Sequence, residues 1–557
     1  MLIIRNISLL SLSAMACLAA VPDAGSISSD IQKQLDSSVK HPATPLQIGE
    51  KKEDIRPFDI GTRVMVRSFK ITGNTLISSE ELSSVVSHFI GKELSFTQLE
   101  DAARAIADYY REKGFSARAF LPPQEVVNGQ IEIMVLEGKL SAIEIEAETA
   151  KRFSASRAKN IIETAHPTGK VLEIDKLQRG LLILNDTPGV TSASRLEAGA
   201  GAGDSKLRVK LQDAPLINGV FLGSNSGQRS TGRNQGIVSA GINSPSGIGD
   251  QITLQSMVTH GIRYGKLGYT IPLGASGAKI GASYSAMSYY VVLGPEATGT
   301  ATTAGVNFSY PILRSGTKNL TFNSALDKKD YANYSAGTLI SDKTAHVFSN
   351  GLTYTKFDTS GQTSLGFTYT LGYINLKDNE SDYLADQQTK RSHGRYSKLT
   401  LNASRNQMLN ETTFLSTNFT AQKSSKNLDS GEKMYLGGSS GIRAYPSNEG
   451  GGDEGYMISL ELSKSFANNF AGSVFYDYGR IKQNRDLYNG ALTTLNPYNI
   501  YDLKGWGLST TYTQGTMSIK GSVAWRVGTN PNTQADGSDN DGTKEAARVW
   551  VSLSKAF

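Results

Sequence analysis

The stretch Gly455–Lys464, GYMISLELSK, decides the fold of this chain. In an extended backbone Tyr456, Ile458, Leu460 and Leu462 point one way, and Met457, Ser459, Glu461 and Ser463 point the other. One greasy and one polar face at a period of two is what a wall between lipid and water requires. Runs of the same kind recur on both sides of it. They lie around residues 219–226, 236–243, 251–259, 262–273, 278–290, 301–313, 319–330, 345–357, 363–376, 396–406, 412–423, 455–466, 471–480, 505–514, 517–527 and 547–557. That makes about sixteen strands at about 21 residues per strand and turn, which suits membrane-crossing strands of about 10 residues. An even count of this size encloses a channel rather than a packed core. The last run ends the chain at Phe557, with Val549, Val551 and Leu553 on the same outward parity. A terminal aromatic there is the expected signal to the barrel-assembly machinery.

Composition agrees with a barrel. The 557 residues include 56 glycines and 24 tyrosines, and the net charge of +6 is mild for this length. No Lys/Arg run suggests nucleic acid. Past the start there is no apolar stretch of about 18 residues, so no spanning helix is expected. The start itself reads as a secretory signal peptide over residues 1–20: Arg5, then an apolar run over Ile7–Leu18, then small residues. Cleavage is expected after Ala16, or after Ala19 or Ala20. A lipoprotein reading of Ser13–Cys17 is weaker, because a bulky residue normally sits three before such a cysteine. Cys17 is the only cysteine, so no disulfide is expected.

Between signal and barrel the period changes to that of helices. Residues 21–62 read as a short polar helix over about 29–40 followed by a linker with Pro42, Pro45 and Pro57. Residues 63–140 follow a β-α-α-β-β order. A strand over Val64–Ile71 precedes two helices, each opened by a capping box, Ser78 with Glu81 and Ser95 with Gln98. Strands over Phe115–Leu121 and Ile131–Leu136 follow. Residues 141–213 repeat the order, with helices over Ser154–Ala165 and Ile174–Leu184. The barrel is then expected over 214–557. The fold class is therefore mainly β: a 16-stranded transmembrane antiparallel barrel behind two small α+β domains.

The phrases that carry a resemblance lie on this frame. They are FKITGNTLIS (Phe69–Ser78), DYYREKGF (Asp108–Phe115), LPPQEVVNGQIEIMVLEG (Leu121–Gly138), NDTPGV (Asn185–Val190), SNSGQRSTGRN (Ser224–Asn234), GIRAYPSNEGGGDEG (Gly441–Gly455) and VFYDYG (Val474–Gly479). Together they resemble the outer-membrane transporters of two-partner secretion, the TpsB family, over about residues 26–557. The resemblance implies that the two small domains are periplasmic POTRA domains and that the helix near 29–40 plugs the pore. It implies a loop over about 430–455 that folds inward, with Arg443 and Tyr445 at its tip and Asp477 as the wall partner. It further implies a function: recognition of a large secreted exoprotein by the POTRA domains and its passage, without ATP, to the cell surface. The wider superfamily places Gly where this chain has Ala444, which puts only the local turn in question.

Alternation alone supports part of this. It sets Val474, Tyr476 and Tyr478 toward lipid and Asp477 toward the lumen, where an arginine fork suits it. Such a partly wet pair is expected to contribute about 0–1 kcal/mol to stability. Enzymatic readings are poor. Gly437–Gly441 (GGSSG) fits a nucleophile elbow but lacks a following helical pattern, and Gly199–Gly203 resembles a dinucleotide loop with the same defect. The six histidines show no ligand spacing, so no metal, cofactor or catalytic residue is expected. A solute porin and a general barrel-assembly factor are the alternative functions.

Overall fold

The computed structural model describes residues 22–38 and 63–557. The expected signal peptide, the last two residues of the expected helix and the whole of the expected linker lie outside the described residues. From residue 217 the chain forms one closed barrel. Its strands are β1 (Ile217–Ser224), β2 (Gln235–Asn243), β3 (Gln251–Val258), β4 (Ile262–Pro272), β5 (Lys279–Tyr290), β6 (Ala297–Arg314), β7 (Lys318–Ser335) and β8 (Thr338–Asp358). They continue as β9 (Gly361–Asn375), β10 (Gly394–Asn410), β11 (Thr413–Ser424), β12 (Glu454–Ser465), β13 (Phe470–Lys482), β14 (Ile500–Gln514), β15 (Met517–Arg526) and β16 (Ala547–Ala556). Each pairs antiparallel with the next and β16 returns to β1, so no edge is left unpaired.

The faces follow the alternation. Leu460, Val474, Tyr476, Leu508, Val549 and Val551 are exposed on the outside, whereas Phe475 and Asp477 are buried inside. Strand β8 runs well beyond the alternating stretch at 345–357, because Ser341, Asp342 and Thr344 continue the ladder with β7 past the greasy zone. The seam between β16 and β1 is short, joining Ser552–Ala556 to Val220–Ser224. Phe557 completes it through reciprocal 3.0 Å backbone bonds with Gly219.

The first small domain pairs Ser68–Thr72 parallel to Gln130–Glu137, with Ala117–Phe120 antiparallel on the other side. Helix Phe96–Glu112 buries Leu99, Ala102, Ala103, Ile106 and Tyr110 on it, and its capping box is complete. The box at Ser78 is only half formed. Ser78 accepts from the Glu81 N–H, but the Glu81 carboxylate turns to Tyr109 and lies 3.1 Å from Lys113. The strand read over Val64–Ile71 breaks, and Arg63–Met65 pairs instead with a short strand, Glu93–Ser95. The second domain repeats the order: Lys139–Thr149 lies parallel to Asp204–Asp213, beside Val190–Ala198.

Glu137 ties the turn after the first strand to this sheet. It accepts from the Thr75 and Leu76 N–H groups at 2.7 and 2.8 Å and from the Tyr110 hydroxyl at 2.9 Å. Partial burial pushes its carboxyl up, but the bonds from Thr75, Leu76 and Tyr110 together hold it below the usual range. A depressed carboxylate contributes stability above its unfolded value and loses it as pH falls through the folded one. Glu137→Gln is therefore expected to destabilise the domain by about 1 kcal/mol at neutral pH and to flatten its acid unfolding curve, read by circular dichroism.

The second domain grips one end of the barrel. Arg314 makes a two-point bond to Asp186 at 2.6 and 2.8 Å, and Arg179 donates to the Pro311 carbonyl at 2.6 Å. Lys279 reaches the Asp186 carbonyl at 3.0 Å, and Arg152 the Asn243 carbonyl at 3.2 Å. The second small domain thus sits at the end of the short turns, and the long connections lie at the other end.

Candidate functional site

The lumen is filled by two elements. The first is helix α1 (Ala24–Ser38), which begins five residues before the reading at 29. Ala24, Ile27, Ile31 and Leu35 recur at three- and four-residue steps and form one stripe. The stripe is buried against Ile237, Met257, Tyr264, Met287 and Val347 of the wall. The early start has a cap: Asp23 accepts from the Gly25 N–H at 2.8 Å. The same carboxylate meets Lys343 at 3.1 Å and Asn333 at 3.0 Å. Tyr289 donates to the Pro22 carbonyl at 2.7 Å.

The second element is the connection from β11 to β12, which folds back into the barrel. Salt bridges of 2.8 Å tie its base: Glu432 to Lys329 and Lys398 of the wall, and Lys433 to Asp453. It also touches α1. Lys343 bridges Asp23 of the helix cap and Asp429 of the loop, at 3.1 and 2.7 Å. Gly25 and Gly431 pack backbone to backbone, so a Cβ on either would lie within 3.2 Å of the other's Cα. Cavities of about 1140 and 1160 Å³ remain, each lined partly by α1 and partly by this loop.

At the loop tip the structure brings Arg443 and Asp477 together. The guanidinium donates through Nε and Nη2 to the two carboxylate oxygens, both at 2.9 Å, and the Arg443 N–H adds a third bond at 3.1 Å. Its remaining donors reach Glu461 at 2.6 Å and the Ser459 hydroxyl at 3.1 Å. The Phe475 ring lies 3.3 Å from its central carbon. Asp477 is 0% exposed and Arg443 7%. The expectation of a partly wet pair is therefore corrected: the alternation showed that Asp477 faces inward, but not that the loop would cover it. For a buried pair bonded at this many points, removing one partner costs about 3–5 kcal/mol.

Tyr445 does not touch Asp477. It is fully buried beneath the guanidinium of Arg526, 4.7 Å away, in a cluster with Leu436, Ile442, Ala444 and Leu503. Ala444 fits because the wall opposite is glycine: a Cβ on Gly505 would fall 2.5 Å from the Ala444 methyl. Gly505→Val is thus expected to fold as a barrel yet unseat the tip. The check is increased protease cleavage of the loop in intact outer membranes, with unchanged heat-modifiable mobility.

The reading of the residues missed Lys343, Glu461, Ser459, Arg526 and Trp550, whose indole donates to the Arg443 carbonyl at 2.8 Å. The polar parity of Ser459 and Glu461 was visible in GYMISLELSK, but their common partner, 16 and 18 residues earlier, lies on a connection whose inward fold the parity does not show. Of the other motifs, Gly437–Gly441 leads into the loop tip and Gly199–Gly203 is the turn between two strands of the second small domain. Phe557 is exposed on the outer face of the seam.

Comparison with known proteins converges. Residues 203–496 match the haemolysin secretion/activation protein family ShlB/FhaC/HecB, and residues 64–138 match the ShlB-type POTRA domain. The heme/hemopexin transporter protein HuxB of Haemophilus influenzae is 24% identical over 96% of this chain and 95% of its own length. The outer membrane transporter CdiB of Escherichia coli is 25% identical over 84% of this chain and 81% of its own. The solved structure of CdiB from Escherichia coli shares the fold, with a TM-score of 0.73 at 22% identity over 98% of this chain and 100% of that one. The chain belongs to the haemolysin secretion/activation family of two-partner secretion: it is an outer-membrane transporter whose barrel crosses the membrane and whose POTRA domains lie in the periplasm.

Proposed function

We propose that this transporter exports one large exoprotein, of the adhesin or haemolysin kind, through a pore closed at rest by α1 and the inner loop. The observation that carries the reading is the shared closure: the two obstructing elements touch each other and hold one buried lysine, Lys343, between them. A solute pore has no use for two coupled obstructions. An unfolded chain is captured first at the POTRA domains, whose sheets leave strands Ser68–Thr72, Ala117–Phe120, Lys139–Thr149 and Val190–Ala198 as edges. Capture draws α1 out of the lumen, and the chain passes along the space it leaves.

Arg443, Tyr445 and Asp477 act as the lock that sets the inner loop's position during passage. No nucleotide supplies the drive; folding of the exoprotein outside makes the passage one-way. Catalysis has no part in it. Phe557, at the end of the outward face of β16, is the signal read by the barrel-assembly machinery, and the lipid-facing residues of the wall hold the finished barrel in the membrane.

Deleting the gene and profiling the surface, the medium and the outer membrane tests this. Loss of one very large secreted protein supports it. Loss of many barrels would instead indicate an assembly factor, and loss of small-solute uptake alone a porin.

A further inference from the structure

The connection from β15 to β16, residues 527–546, also folds inward, separately from the inner loop. Its acidic run, Asp536–Asp541, is buried at Ser538 and Asp539. Asp539 pairs with Arg526 of β15 and, at 3.0 Å, with Arg548 of β16, and accepts from Asn530 at 3.1 Å. Asp541 pairs with Arg548 at 3.0 Å and, across the seam, with Arg233 at 3.5 Å. Its carbonyl accepts from Arg229 at 3.0 Å. Arg229 and Arg233 belong to the connection from β1 to β2. The two carboxylates therefore face three guanidinium groups, with a fourth on the Asp541 carbonyl, and the run binds arginines rather than a cation.

Two features give this cluster a task. First, strand pairing across the seam stops at Ser224 and Ser552. Beyond it one further backbone bond, from the Asn225 N–H to the Val551 carbonyl at 3.2 Å, is joined by side chains: Asn225 donates to the Val549 carbonyl at 3.0 Å and accepts from the Val551 N–H at 2.8 Å, and the Asp541–Arg233 pair continues the closure. Second, the cluster reaches the inner loop. Arg526, held by Asp539, donates to the Ala444 carbonyl at 3.3 Å and covers Tyr445. The Asn540 N–H donates to Glu449 at 2.9 Å. The tip is thus held from both sides: β12 and β13 take the Arg443 guanidinium, while β15, β16 and this connection hold the backbone after it.

We infer that Asp539 is a positioning residue for export: through Arg526 it presses the inner loop onto the wall, while Asp541 clasps the outer end of the seam. The loop tip is then released only when residues 527–546 move as well. The consequence for transport rests on the reading of the tip as the gate, but the position of the tip is measurable without any exoprotein.

The test places a reporter thiol at the buried tip, Ile442→Cys, in the full-length transporter with Cys17→Ser. Its reaction with a membrane-impermeant maleimide on whole cells follows the fraction of time the tip is open. Asp539→Asn and Arg526→Lys are each expected to speed labelling about tenfold, equivalent to about 1.4 kcal/mol. Barrel folding is checked by heat-modifiable mobility. Arg526→Lys keeps a cation opposite Asp539 and loses only the planar fork, so it carries the test alone should Asp539→Asn not reach the membrane. Labelling within about twofold of the parent in folded barrels would overturn the inference, whatever happens to export.

Discussion

Arg443→Ala and Asp477→Ala are each expected to abolish export while leaving a barrel in the membrane. The reason is where the energy of this pair resides. Each substitution strands a buried charge, Asp477 with the Ser459 hydroxyl as its remaining side-chain donor or Arg443 with Glu461 and Ser459. At about 3–5 kcal/mol, the docked-to-undocked ratio of the loop tip falls by a factor of about 100 or more. The barrel wall itself depends on ladder hydrogen bonds that neither residue makes with its side chain, so folding survives. Arg443→Lys is expected to rescue little, because an ammonium cannot span both carboxylate oxygens and Glu461 at once. The measurement is the amount of exoprotein at the surface and in the medium, against barrel level and heat-modifiable mobility. Normal export by either alanine variant would discard the assignment.

Removing α1 is expected to have the second large effect. Deletion of residues 22–38 takes away the stripe Ala24, Ile27, Ile31 and Leu35 and leaves its apolar wall facing water. The expected result is a stable, high-conductance pore in planar bilayers and entry of antibiotics normally too large for the outer membrane. Lys343→Ala should reach part of that state with the helix present. Burial of Lys343 leaves Asp23 and Asp429 without a shared counter-charge once it is gone, and the two carboxylates repel each other across the helix–loop contact. Frequent opening with α1 intact is the signature of that variant; a conductance equal to the parent's would contradict the coupling.

How much of this is legible in the sequence depends on the range of each interaction. The barrel is readable because each strand carries its own evidence: the alternation in GYMISLELSK is local, and sixteen such runs leave little choice of architecture. The order of the small domains is readable for the same reason, from caps such as Ser95 with Gln98. What fails is what depends on distant partners. The start of α1 escapes because Ala24 and Ile27 are a helical stripe only once a wall meets them, and because Asp23 serves as a cap. The half-formed box at Ser78 misleads because Lys113 and Tyr109 compete for the Glu81 carboxylate. Asp477 can be placed inside by parity and Arg443 paired with it by resemblance. Neither route shows that Phe475, Glu461, Trp550 and Arg526 close over the pair, since these lie on four different strands.

The central claim is that α1 and the inner loop must part for export to proceed. A tether between them tests it most directly. A Cβ on Gly25 or Gly431 would sit 3.1 or 3.2 Å from the other residue's Cα, so cysteines at both come within reach of each other once the two backbones ease apart by a few tenths of an ångström. With Cys17, the only native cysteine, replaced by serine, the pair Gly25→Cys and Gly431→Cys would cross-link in the oxidising periplasm. Export of the exoprotein should stop in the oxidised double variant, return on reduction, and persist in each single variant. Full export through an oxidised, tethered transporter would contradict the account.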